Sequence, residues 1–304
     1  MYSLAIYILS FVAIWFGSGF IISSLGSVAK NIRITPFALS FFVLGILTSI
    51  PELAVGLTAV NKQDTPIFVG NLIGGIPVIF LFVIPVLALF GNGIKLTHTL
   101  SKKSLLYTLF VIVAPSLMAL DGTISTMEGV FLVAAYLSLF LVIDLKSHDK
   151  VRKVKSSFNL RQIAKLIFGA FLVFLSSQTI VSKTLYFSSL LHLSPFVVSI
   201  LALSFGTNLP ELSLALRSVL SGKKEIALGD YLGSAAANTL LFGIFTIVAS
   251  GEVIPSHDFS ITFLFLLVGI LSFYLVTVYK RQLSRPVALL LLSSYLAFVW
   301  VLLR

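Results

Sequence analysis

Two glutamates have the most chemistry to offer in this chain. Glu52 closes the stretch Thr48-Ser49-Ile50-Pro51-Glu52, and Glu211 closes Thr207-Asn208-Leu209-Pro210-Glu211. Both stretches lie inside long apolar runs, and each sets a proline directly before the acid. Proline has no N–H, and its ring clashes with the carbonyl four residues back. Pro51 should therefore disturb a helix at Leu47, and Pro210 at Gly206. In an apolar medium freed carbonyls cost several kcal/mol unless something satisfies them. A cation can do so, and the neighbouring side chains suit one. Thr48 and Glu52 are spaced i, i+4 and share one helical face, as do Thr207 and Glu211. Ser49 and Asn208 stand three residues before the acids, on a flanking position. Carboxylates, hydroxyls, an amide and carbonyls make a hard oxygen set, suited to Ca²⁺ or Na⁺.

Magnitudes favour ion binding. An ionised residue at the centre of a spanning helix costs roughly 2.5–3.5 kcal/mol on insertion scales. Two carboxylates about 5 Å apart repel by roughly 3 kcal/mol at an effective dielectric near 20. Such a pair has to bind cations or take up protons. A single intramembrane glutamate reads as a structural hydrogen-bonding group. A pair with matched prolines and threonines does not. One helix further on, a second motif appears as Gly70-Asn71-Leu72-Ile73-Gly74-Gly75 and as Gly229-Asp230-Tyr231-Leu232-Gly233-Ser234. Asp230, Ser234 and Asn238 fall at i, i+4 and i+8, a polar stripe on one helical face. The same stripe in the first copy reads Asn71, Gly75 and Ile79. The paired glycines of each copy, four residues apart, read as close helix packing.

The elements that must hold these residues follow from composition. The chain has 304 residues, of which 58% are hydrophobic and 11% charged, and its mean hydropathy is +1.08. A soluble protein of this size could not bury so much apolar surface. A spanning helix needs about 20 mainly apolar residues. Ten candidate spans centre near residues 14, 48, 80, 110, 135, 173, 207, 240, 269 and 294. The expected fold class is an all-α polytopic membrane protein. The first apolar run lacks a basic n-region and reads as the first span rather than a signal peptide. With no cysteine, disulfides and thiolate metal sites are excluded.

A shift of 159 residues superposes the chain on itself. Pro36-Phe37 meets Pro195-Phe196, Ser40 meets Ser199, and Pro51-Glu52-Leu53 meets Pro210-Glu211-Leu212. Gly70 and Gly74 meet Gly229 and Gly233. The expected organisation is a five-helix repeat over 1–145, a basic linker over 146–160 and a second five-helix repeat over 161–304. Because five is odd, the halves would insert with opposite orientation, as inverted-topology repeats. That arrangement is characteristic of secondary transporters with a site near the bilayer midplane.

The net charge of +10 is explained by topology. With the N-terminus outside, eighteen lysines and arginines fall in inside loops, and only Lys62, Lys183 and Arg304 fall outside. That asymmetry is the positive-inside rule. Both termini are then extracytoplasmic and the linker cytoplasmic, in a multi-pass protein of the plasma membrane. No nucleic-acid partner is needed to account for the charge. The expected partners are the lipid bilayer and inorganic cations, and a monomer is compatible with the sequence.

At the two Pro-Glu segments and the two glycine motifs, the chain resembles the calcium/cation antiporter superfamily, most of all its sodium/calcium exchanger branch. Members share two repeats, each with a G-T-S-L-P-E-like motif followed by a G-N-x-I-G-S-like motif. The resemblance covers essentially the whole chain. It implies Ca²⁺ binding by Glu52 and Glu211, with oxygens from Thr48 and Thr207. It implies Na⁺ sites drawing on Ser49, Asn208, Ser234 and carbonyls near Gly45 and Ser204. The positions of Gly75, Ile79 and Asn238 also line the sites in relatives. The helices around Ile14–Phe20 and Leu172–Thr179 correspond to the pair that slides across the rest. The departures are specific to this chain. Leu47 replaces a glycine, Asn208 a serine, Gly75 a serine and Ile79 an acid or amide, while Asn238 keeps an amide.

The leading expectation is therefore a cation antiporter exchanging Ca²⁺ for Na⁺, with no cofactor. The candidate ligands are Thr48, Ser49, Glu52, Asn71, Thr207, Asn208, Glu211, Asp230, Ser234 and Asn238, together with Gly45 and Ser204. The first alternative is coupling to H⁺ or involvement of K⁺, for which Asn208 and the lost ligands argue. The second is a channel or a non-transporting membrane protein. An enzyme is not expected. There is no HExxH and no GxSxG motif, and the four histidines, His98, His148, His192 and His257, stand in loops or at helix ends.

Overall fold

The computed structural model describes residues 2–29, 35–91, 93–95, 100–143, 160–212, 216, 224–249, 252–253, 256–280 and 282–304. Most of the basic linker, with His98, His148, Lys30, Arg33, Arg217 and Lys223, lies outside the described residues. The helices are α1 Tyr2–Ala29, α2 Leu39–Thr48, α3 Ile50–Asn61, α4 Thr65–Phe90, α5 Lys102–Asp121 and α6 Thr126–Val142. They continue with α7 Leu160–Leu191, α8 Pro195–Leu212, α9 Lys224–Ala249, α10 Phe259–Lys280 and α11 Arg285–Leu302. Eight of them are long and apolar enough to cross a membrane. The pair α2 and α3, bent by 44°, adds a ninth if it is one span. Helix α6, 17 residues long, is a shorter apolar helix. It opens with a capping box, in which Ser125 and Glu128 satisfy each other's backbone N–H groups.

Two helices form the centre. In α4 every residue from Ile67 to Leu81 is buried, and in α9 every one from Leu228 to Thr239. A helix that is apolar all round seeks such a position, because no face favours water. Two short polar interruptions in it, Asn71 and the Asp230 stripe, are thereby carried to the middle of the molecule. Helices α1 and α7 lie outside and pack chiefly along one another. They touch backbone to backbone, since a Cβ on Gly17 would stand 2.9 Å from the Gly169 carbonyl oxygen and one on Gly169 2.6 Å from that of Gly17.

Two kinds of local structure depart from regular α-helix. The first is a set of π-helical stretches, among them Leu39–Leu44 and Ser199–Leu203. These two stand at matching places in the halves, just ahead of the Pro-Glu segments. Such wide turns are frequent at functional sites. The second is a pair of two-residue antiparallel bridges. Ile94–Lys95 pairs with Gln282–Leu283, and Thr123–Ile124 with Glu252–Val253. Each joins a first-half segment to a second-half one. Two residues are too few to leave an alternation in the sequence.

Candidate functional site

Each Pro-Glu segment breaks its helix at one residue. Ser49 leaves helical geometry at φ −79°, ψ 11°, and Asn208 does so at φ −84°, ψ 8°. The prolines then fall at the start of the restarted helix, where a missing N–H costs nothing and the fixed φ fits. Glu52 comes to lie in the first turn of α3, where a helix N-terminus favours negative charge. The break also means that Thr48 closes one helix while Glu52 opens the next. With the 44° bend between them, the two do not share one continuous face, and the Thr48 hydroxyl turns to Asp230 of the other half.

Glycines bring the segments onto the central helices. A Cβ on Gly45 would meet the Gly233 carbonyl carbon at 2.5 Å and the Ser234 nitrogen at 2.7 Å, so α2 rests on the backbone of α9. Gly229 faces the Phe37 carbonyl oxygen at 2.7 Å, and Gly70 faces that of Phe196 at 2.6 Å. The second contact is the first displaced by 159 residues. Each glycine motif thus packs against the Pro-Glu segment of the other half.

The hydrogen bonds cross between the halves in the same way. Thr48 Oγ1 donates to Asp230 Oδ1 at 3.4 Å, and Thr207 Oγ1 donates to Asn71 Oδ1 at 3.0 Å. Ser49 Oγ donates to the Gly45 carbonyl at 2.8 Å, and Asn208 Nδ2 to the Ser204 carbonyl at 2.7 Å. The Ser204 hydroxyl itself donates to the Ile200 carbonyl. Beyond these pairs the symmetry ends. Ser234 Oγ donates to Glu211 Oε1 at 3.0 Å and approaches Ser49 Oγ at 3.3 Å. Opposite, Gly75 has no hydroxyl, and Asn208 Nδ2 reaches Glu52 Oε1 at 3.4 Å instead. Asn238 Nδ2 donates to the Leu72 carbonyl at 3.4 Å. All twelve candidate residues therefore converge on one region where α2, α3, α4, α8 and α9 meet, and all are buried.

Several oxygens there are left over. Glu52 Oε2, Glu211 Oε2, Asp230 Oδ2, Asn208 Oδ1 and Asn238 Oδ1 are buried with no hydrogen-bond partner among the described residues. A buried unpaired polar atom costs roughly 1–3 kcal/mol, and more when charged. Three carboxyls with an unpaired oxygen each make this a region that attracts cations or protons. The described residues hold no cluster of three or more His, Cys, Asp or Glu placed to grip a metal. A cation here would draw on hydroxyls, amides and carbonyls beside the glutamates. Sequence reasoning passed over the hydroxyls of Tyr231 and Ser199, which are buried and unpartnered among the described residues. Tyr231 lies one residue off the Asp230 stripe, so periodicity gave no signal for it.

Comparison with known proteins agrees with this architecture. The profile of the sodium/calcium exchanger protein family matches residues 2–144 and again 162–304. The inner membrane protein YrbG of Escherichia coli (strain K12) is 26% identical over 290 residues, covering 90% of this chain and 87% of that protein. The structure of the sodium-calcium exchanger NCX_Mj superposes with a TM-score of 0.70 at 21% identity, covering 98% of this chain and 97% of the other. The crystal structure of the H⁺/Ca²⁺ exchanger CAX superposes with a TM-score of 0.81 at 14% identity, covering 99% and 84%. At such identities the two structures share the fold with this chain.

Proposed function

This chain belongs to the sodium/calcium exchanger protein family, and on that premise we propose that it exchanges Ca²⁺ for Na⁺ by alternating access. It is a multi-pass membrane protein with the family's character of a secondary transporter of cations rather than an enzyme. The observation that carries the finer reading is the pair Glu52 and Glu211. Both are buried in broken helices of opposite halves, and each keeps one oxygen with no partner among the described residues. A cation shared between them relieves their repulsion and satisfies both oxygens, and its departure restores the demand for another ion. That alternation is what couples two fluxes.

The proposed architecture has ten spans, with α2 and α3 together as one and α6 as another. The halves are inverted repeats, which the reciprocal contacts around Gly70 and Gly229 favour. We place both termini outside and the basic linker in the cytoplasm, on the charge asymmetry of the loops. Helices α1 and α7 touch the rest less than they touch each other, which suits a pair that slides over the site.

Reconstituted vesicles test the proposal. Outward Ca²⁺ flux should follow an opposing Na⁺ gradient and vanish in Glu52→Gln and in Glu211→Gln. A second reading, coupling to H⁺, is favoured by the contact of Asn208 with Glu52, since a donor there replaces a cation ligand. Flux that ignores Na⁺ and follows a pH gradient would establish that reading instead.

A further inference from the structure

The two sides of the site differ in what fills the space beside each glutamate. On the Glu211 side, two hydroxyls bridge the Gly45 carbonyl to the carboxylate, through Ser49 Oγ at 2.8 Å and Ser234 Oγ at 3.0 Å. A hydroxyl has both a rotatable hydrogen and two lone pairs. Such a bridge can turn its hydrogens aside and offer oxygens to a cation. On the Glu52 side the matching carbonyl, that of Ser204, and Glu52 Oε1 are bridged by one group, the Asn208 amide nitrogen, at 2.7 and 3.4 Å. An amide nitrogen donates and cannot accept.

The orientation of that amide is fixed by its neighbours. Amide nitrogen and oxygen are assigned from the hydrogen-bond network, and both neighbours here are acceptors. A flipped Asn208 would set its oxygen against a carbonyl oxygen and a carboxylate. Residue 75 completes the difference. Where Ser234 stands opposite, the chain has Gly75, and a Cβ there would meet Asn238 Nδ2 at 2.9 Å and Asn208 Nδ2 at 3.2 Å. Two amide NH₂ groups therefore crowd the space that a serine hydroxyl fills on the other side.

We propose that Asn208 determines the number of cations carried: its amide occupies the monovalent-cation position beside Glu52, so that this position exists only beside Glu211. A coupling cation would then be held by Glu211, Ser49, Ser234 and the Gly45 carbonyl. Glu52 keeps Oε2 for the divalent ion. This inference rests on the exchanger reading and sharpens it to an asymmetric site with one monovalent position fewer than a symmetric pair would give.

Equilibrium binding tests it without requiring transport. Calorimetric titration of the purified full-length protein with Na⁺ should show about one more ion bound in Asn208→Ser than in wild type, because serine restores lone pairs. Ser49→Ala should bind about one fewer, by the same logic. Should Asn208→Ser fail to fold, Asn208→Asp keeps the shape and replaces the donor by an acceptor. It should show the same gain, together with a thermal stability that rises with Na⁺. An unchanged Na⁺ count in Asn208→Ser, or in Asn208→Asp where that variant is the one that folds, overturns the proposal. So does a Ser49→Ala protein that binds as many ions as wild type. Absent Ca²⁺ flux would instead reject the exchanger reading, leaving these counts to judge Asn208.

Discussion

Replacing Gly45 by alanine adds one methyl group where α2 rests on α9. The new Cβ would lie 2.5 Å from the Gly233 carbonyl carbon, 2.7 Å from the Ser234 nitrogen and 2.8 Å from Gly233 Cα. Ordinary contact begins at 3.4 Å, so the helices would have to part by nearly an ångström. All three neighbours are backbone atoms, and no side-chain rotation relieves them. Overpacking costs typically 1–3 kcal/mol, and a rigid site belongs at the upper end. Alanine returns about 1 kcal/mol through its helix propensity. The net expectation is a loss of roughly 2 kcal/mol, or about 4–8 °C in melting temperature for a domain of this size. The same displacement stretches two contacts that are already long, Thr48 to Asp230 at 3.4 Å and Ser49 to Ser234 at 3.3 Å. Both would pass beyond hydrogen-bond length, so cation binding should fall along with stability. Thermal unfolding in detergent and Ca²⁺ titration measure the two effects. Gly19→Ala is the control, because a Cβ there meets nothing within 4 Å. A Gly45→Ala protein as stable as wild type, or a Gly19→Ala protein equally damaged, would refute the reasoning.

Two other substitutions probe neighbouring contacts. Asp230→Asn should leave the fold intact, since Asn71 already makes the matching bond with Thr207 at 3.0 Å. It should weaken Ca²⁺ binding about 10–100-fold, the range usual for a group that supports the ligands, and unchanged affinity in calorimetry would remove Asp230 from the site. Gly17→Leu should separate α1 from α7, because the first added carbon alone stands 2.9 Å from the Gly169 carbonyl oxygen and from Val173 Cγ2. Flux in vesicles should fall while Ca²⁺ affinity, which the proposed site places on other helices, stays within a few-fold of wild type. An equal loss of both would tie the outer pair to binding rather than to movement.

Much of this protein is legible from residue types and spacing, because the bilayer leaves few choices. A spanning chain must satisfy its backbone internally, so hydrophobic runs announce helices. Proline next to glutamate announces a break with a charge in it, and a shift of 159 residues announces the second copy. The family could be read from the same motifs. The sequence could not place the break at Ser49 and Asn208 rather than beside the glutamates, because that depends on how the helix restarts around Pro51 and Pro210. It could not show that Thr48 bonds to Asp230 and Thr207 to Asn71, since those partners are 182 and 136 residues away and meet only when α4 and α9 pack between the halves. The change from serine to asparagine at 208 and the missing side chain at Gly75 were both visible as letters. Their joint meaning was not. Only the packed helices bring the Asn208 amide between the Ser204 carbonyl and Glu52, because whether a polar group binds an ion or takes its place depends on which atoms it faces.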